Sequence, residues 1–247
     1  MIRANRGSSL VVILSSGLLG QSTAAPPAFE VVSVKPTPPE RLNHLRSDYC
    51  PGGGRFSVAG TPVMWSLGYA YHLRDFQISG APAWLNAFDS AYDIEGKPAG
   101  PVTDEQCRLM VQSLFADRFK LVAHLEMKES SVYLLTIGKN GPKLREGGGV
   151  KLNGSIQAGA SGKPDWADGW TASELAAHLA DFAGRPVVDR TGLAGRYGVT
   201  LDFSRADGDD RPNIFTAVQE QLGLKLDAGK APIEMLVIDH IEKPGEN

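Results

Sequence analysis

Four stretches of the chain repeat apolar residues at helical spacing. The first opens at Thr61-Pro62, a capping residue with proline at the first helical position, and turns Val63, Met64, Leu67, Ala70 and Tyr71 to one side. The second opens at Thr103-Asp104-Glu105 and aligns Cys107, Met110, Val111, Leu114 and Phe115. The third has the clearest start: Thr171 and Glu174 form a capping box, and Trp170 can staple onto Leu175. Its stripe is Leu175, Leu179 and Phe182, and Gly184 ends it. The fourth follows Pro212-Asn213, buries Ile214, Val218 and Leu222, and stops at Gly223.

Other stretches alternate with period two. In "RFKLVAHLEMKE", Phe119, Leu121, Ala123 and Leu125 face one way, while Lys120, Val122, His124 and Glu126 face the other. "VYLLTI", Val132 to Ile137, is expected to return antiparallel as a hairpin, and "LKLD" with "IEMLVIDHI" to do the same near the C-terminus. "FEVVSVKP" reads as the first strand. Proline and glycine in "PTPPERLNHLRSDYCPGGG" leave little room for regular structure, and "GPKLREGGGVKLNGSIQAGASGKPDW" reads as a long loop holding one short strand.

The two halves align. "TPVMWSLGYAYHLRDFQI" matches "TASELAAHLADFAGRPVV", and "SAYDIEGK" matches "GRYGVTLD". Tyr92 and Tyr197 stand 105 residues apart, as do Phe119 and Leu224. The expected fold is therefore α+β: two similar lobes from an internal duplication, each a strand-helix-strand-strand unit followed by a helix and a β-hairpin. The expected boundaries are a signal peptide over 1–25, a first repeat over 26–145, a Gly/Ser-rich linker over 146–168 and a second repeat over 169–247. Within "GRPVVDRTGLAGRYGVTLDF" the polar groups then serve a repeated turn, with Asp189 and Arg190 stabilising it.

The N-terminus carries Arg3 and Arg6, an apolar run from Ser8 to Leu19 and the small residues Ser22-Thr23-Ala24, the pattern of a secretory signal. The run is shorter than the roughly 20 residues of a spanning helix. The expected location is periplasmic or secreted, with membrane contact only through an uncleaved signal. Net charge is -3. With no basic run longer than two residues after the signal, nucleic acid is excluded as the expected partner. Cys50 and Cys107 are either a disulfide or, since Cys107 lies on an apolar helix face, one buried thiol and one free one.

"FEVVSVKP", "GGRFSVAGTPVMWSLGYAYHLRDFQISGAPAWL", "YDIEGKP", "RLMVQSLFADRFKLVAHLE", "GRPVVDRTGLAGRYGVTLDF" and "VIDHIEKPGEN" together resemble the secreted, acidobacteria-rich family of unknown function found in Solibacter-type genomes. They run in order over nearly the whole chain after the signal. Some members of that family form C-terminal extensions of membrane metallopeptidases that resemble beta-lactam sensors. The topology of each half also resembles the short N-terminal domains of secretins and TonB-dependent receptors, which implies docking without chemistry.

No G-x-S-x-G, S-x-x-K, H-E-x-x-H, P-loop or dinucleotide glycine motif is present. Gly52-Gly53-Gly54 and Gly147-Gly148-Gly149 lack the lysine or helix start that phosphate binding needs, and read as flexible loops. His124 shares a strand face with Glu126, His178 precedes Asp181, and His240 adjoins Asp239, all read as solvated groups. No metal site is expected. Asp207, Asp209 and Asp210 lie in a turn-rich loop that calcium could use, the one cofactor entertained.

Trp65, Tyr69, Tyr71, Phe76, Trp84, Phe88 and Tyr92 concentrate aromatic surface in the first half. The expected ligand-binding residues are Tyr71, Trp84, Tyr92 and Asp93. The function expected is an exported envelope or secreted module that binds a partner protein or a small molecule. The alternative is a hydrolase of esters or lactones, metal-dependent or not, drawing on His72, Asp75, Asp89, Asp93, His124 and Glu126. A structural spacer, which would show an exposed apolar patch and self-association, is the third class.

Overall fold

The computed structural model describes residues 26–42, 44–153, 155–156, 169–204 and 210–245. The predicted signal, Asp207 and Asp209 lie outside the described residues, as does most of the predicted linker.

The class is α+β. The first half runs β1 (Val31–Pro36), β2 (Arg46–Tyr49), β3 (Phe56–Ala59), α1 (Val63–Tyr71), β4 (Ile78–Ser79), β5 (Tyr92–Lys97), α2 (Asp104–Arg118) and β6 (Val122–Ile137). The second runs β7 (Arg145–Leu152), β8 (Ser155–Ile156), α3 (Ala172–Ala183), β9 (Val187–Asp189), β10 (Tyr197–Leu201), α4 (Ile214–Leu222) and β11 (Leu224–His240). Among the described residues the strands form three sheets, ordered β1-β5-β3-β2, β10-β7-β8 and β4-β11-β6-β9.

The starts expected for α2, α3 and α4 are each capped, and α3 and α4 stop at the expected glycines. Thr103 accepts from the Gln106 N–H at the head of α2, and Thr171 from the Glu174 N–H at the head of α3, each in a full capping box. Asn213 caps α4 by accepting from the Thr216 N–H. Gly184 and Gly223 end α3 and α4 in the left-handed conformation. Thr61 does not cap α1: Pro62 occupies the N-cap without a side-chain bond, and the Thr61 hydroxyl is buried with no partner.

Two expectations are overturned at the long strands. Neither hairpin forms. β6 runs unbroken through Ser130-Ser131, β11 runs unbroken through Gly229 and Pro232, and the two pair antiparallel with each other from Leu224↔Ile137 to His240↔Val122. Each half thus ends in one long strand whose partner belongs to the other half. β4 then adds parallel to β11 at Leu236 and Val237, and β9 parallel to β6 at Tyr133 to Leu135.

The remaining corrections concern segments read as irregular. "RSDY" is strand β2, the edge of the first sheet. The expected linker begins inside β7, whose Gly147-Gly148-Gly149 lie in a strand paired parallel to β10. The polar groups of "VVDRTGL" do serve the turn: the Thr191 N–H and hydroxyl both donate to Asp189 Oδ1, at 2.8 Å each.

Two large cores flank the long pair. One gathers Phe56, Met64, Leu67, Ile94, Phe115 and Phe119 beneath α1 and α2, and ends on Leu236 and Ile238 of β11. The other gathers Leu175, Leu179, Leu201, Val218 and Leu222 beneath α3 and α4, and ends on Leu135 of β6. Side chains of one face of the pair therefore enter one core at each end of the sheet. On that face Leu125, opposite Leu236, and Met127 and Glu129 further along β6 are exposed.

Candidate functional site

A broad concavity lies where α1 turns into the strand that follows it. His72 caps α1 with φ of 55°, a left-handed conformation that costs a side-chain-bearing residue about 1–2 kcal/mol. The equivalent positions after α3 and α4 are glycines. The chain then folds back so tightly that the Leu73 N–H reaches the Gly68 carbonyl at 2.9 Å. A Cβ on Gly68 would stand 2.8 Å from the Leu73 carbonyl oxygen, so this turn admits only glycine there. A short turn over Asp75–Gln77 completes the floor.

The walls are aromatic. Tyr49 at the end of β2 and Tyr69 on α1 stack with ring centres 4.3 Å apart, 10° from parallel. Trp65, 40% exposed, meets Phe88 edge-on at 6.0 Å. The cleft is open to solvent and has a volume of about 560 Å³, with Ser47, His72, Arg74 and Asp75 supplying its polar atoms.

A chain of polar contacts fixes these groups. The Tyr69 hydroxyl donates to Asp104 Oδ1 at 2.8 Å, and Asp104 pairs with Arg108 one helical turn on, at 2.9 Å. Burial, and then the Asp104 carboxylate, push the Tyr69 hydroxyl well above its usual range, so it remains a donor. Arg108 Nη1 lies 3.2 Å from His72 Nδ1. A guanidinium can only donate, so Nδ1 accepts and the imidazole N–H sits on Nε2. Cys50, next to Tyr49, is disulfide-bonded to Cys107, next to Arg108, which ties the tyrosine wall to the first turns of α2.

Arg74 reaches across to the second half, where its Nε and Nη2 donate to the two oxygens of Asp181 at 2.6 and 3.1 Å. Burial raises both the Asp75 and Asp181 carboxyls above their usual range, against the pull of Arg74. The pocket therefore holds stacked rings, an oriented imidazole and a carboxyl whose ionised form is disfavoured.

The residues expected from sequence are distributed differently. Tyr92 is buried, its ring edge-on to Phe119, and Trp84 stacks over the same Phe119 with Lys243 above it. Tyr71 is half-buried against the first core. Asp93 points away from Tyr92, as strand alternation requires, and accepts from Thr37 and Arg41 in a second cavity of about 480 Å³ beside His44 and Arg46. Among the six carboxylates and histidines of the hydrolase reading, His72 and Asp75 share a pocket. His124 bonds Asp239 at 2.8 Å, Asp89 accepts from Ser90, and Glu126 is exposed. His178 stacks on Trp170, and His240 bonds Glu242 at 2.9 Å. Among the described residues no three His, Cys, Asp or Glu side chains stand together as metal ligands.

Sequence reasoning named Trp65, Tyr69 and His72 but left out Tyr49, Arg74 and Arg108. The "YHLRDF" run after α1 carried the signal, since it packs cation, imidazole and carboxyl into a helix end that lacks glycine.

The family of proteins of unknown function DUF3738 matches residues 65–241, from α1 to the end of β11. The chain belongs to the DUF3738 family. The match takes in Trp65, Tyr69, His72, Arg74 and Asp75, and the family description attaches no activity to them. No curated protein and no solved structure matches the chain.

Proposed function

We propose that this DUF3738 protein is an exported envelope or secreted module that binds a small ligand at the Tyr49–Tyr69–Trp65 pocket and performs no chemistry on it. The observation that carries this is His72. A strained residue held at a helix end where glycine serves elsewhere in the same chain, and oriented by Arg108, fits a group retained for recognition. The stacked tyrosines and exposed Trp65 suit a ligand with a flat or ring-shaped face, and His72 Nε2 offers it a hydrogen-bond donor.

Export is supported by the Cys50–Cys107 disulfide, which belongs to an oxidising compartment, together with the signal-like N-terminal pattern. The shared order helix, strand, strand, helix, long strand in both halves supports descent by duplication, and keeps the likeness to secretin and TonB-receptor N-terminal domains as part of this reading. The wider affinity with Solibacter-type secreted proteins rests on the same footing.

The alternative, hydrolysis of esters or lactones, draws on one observation, the shared pocket of His72 and Asp75. Assay of the purified chain on short-chain esters and acyl lactones, with calcium or with EDTA, separates the two. No turnover above a denatured control is expected. Turnover that disappears in both His72→Ala and Asp75→Asn would overturn the binding-only reading.

A further inference from the structure

The outer edge of β6 is open along most of its length. Tyr133 donates to the Pro186 carbonyl and Leu135 accepts from the Arg190 N–H, so the odd-numbered residues of β6 direct their backbone groups away from β11. The register between the two strands is unbroken from Leu125 to Ile137, which carries the same parity back to Leu125, Met127, Glu129 and Ser131. β9 covers only Tyr133 to Leu135. Among the described residues nothing else pairs with the row from Ala123 to Ser131, and Leu125 and Met127 beside it are 51% and 64% exposed.

The opposite edge, on β11, is protected. There Lys230 and Pro232 occupy outward positions, proline having no N–H to offer, and Gln77 donates to the Glu234 carbonyl at 3.0 Å. β6 carries no proline and no lysine in its outward row. An open row of donors and acceptors flanked by exposed Leu and Met is a template for another strand.

We propose that the Ala123–Ser131 edge pairs antiparallel with the same edge of a second copy of this chain. The sequence of the edge is self-complementary about Met127. With a two-fold axis there, outward residues meet outward residues, Met127 meets Met127 and Leu125 meets Glu129. Glu126 falls opposite Lys128, twice by symmetry. Centring on Leu125 would shorten the overlap, because β6 begins at Val122, and centring on Glu129 would set two carboxylates face to face. Within the monomer Glu126 and Lys128 face Met235 and Ile233, so neither spends its charge on β11.

Sedimentation equilibrium of the purified chain tests the pairing. The expected mass is twice that of the chain. Glu126→Lys or Lys128→Glu alone weakens association roughly tenfold or more by opposing like charges, and the double reversal restores it. Met127→Pro, folded by circular dichroism, is monomeric. A wild-type chain that stays monomeric at high micromolar concentration overturns the proposal and leaves the edge to a strand of a different protein. A dimer indifferent to both charge reversals and to the proline overturns it as well.

Discussion

At the scale of single residues, His72 joins the stability of the fold to the proposed binding. Replacing it by glycine relieves the left-handed strain, and His72→Gly is expected to stabilise the fold by about 1 kcal/mol while removing the imidazole from the pocket. Urea unfolding of the two proteins reads the gain, and His72→Ala, which keeps the strain, should show none of it. Glu174 provides a test of sign. Burial raises its carboxyl, but bonds from the Thr171 N–H and hydroxyl, with Arg196 beside it, outweigh that and hold it below the usual range. Its contribution is present above the unfolded pKa and is lost as pH falls through the lowered folded value. The stability difference between wild type and Glu174→Gln should therefore shrink from about pH 5 to about pH 3, measured by denaturant midpoints across that range. The capping role of Thr171 was legible because it rests on a spacing of three residues to Glu174, whereas at Thr103 and Asn213 the helix starts were legible but not the partners Gln106 and Thr216. His72 as a helix end was not, because histidine there carries no local signature and the turn is imposed by Gly68 and Leu73 closing on each other.

At the scale of elements, the disulfide closes a loop of 57 residues between the end of β2 and α2. In the chain-entropy account that is worth about 4 kcal/mol. The paired variant Cys50→Ser with Cys107→Ser should lose close to that amount in urea titration. Phe119, fully buried under Trp84, Tyr92 and Phe115, is the hub on which the first lobe's aromatics meet, and Phe119→Ala should cost about 3–5 kcal/mol. Helices were legible at this scale because their periodicity is local. The long strands were not. Ser130-Ser131 and Gly229-Lys230 interrupt the apolar pattern as turns do, yet both stay in the ladder, Ser131 opposite Lys230 and Val132 opposite Gly229, where the sheet crosses from one core to the other. That interruption marks solvent on one face. Pro232 is tolerated because its missing N–H lies on the outward side.

At the scale of the whole molecule, the pairing of β6 with β11 makes the halves interdependent, since each lends its last strand to a sheet built with the other. A chain ending at Arg145 keeps β6 without its partner and should be unfolded by circular dichroism, whereas two independent repeats would leave it folded. The pocket shares this dependence, because Arg74 is held by Asp181 and Gln77 by the β11 backbone. The α+β class and the aromatic weight of the first half could be read from sequence. The assembly of Tyr49, Tyr69 and His72 could not, since it brings together an edge strand, a helix and a helix end through contacts that no spacing records. Binding at that pocket is the central claim. The most direct test is saturation-transfer NMR of the purified chain with hexose, N-acetylhexosamine and aromatic carboxylate probes, repeated with Trp65→Ala and His72→Gly. Transfer from a ring-bearing probe that is lost in both variants is the predicted result. No transfer from any probe, or transfer unchanged in both variants, would contradict it.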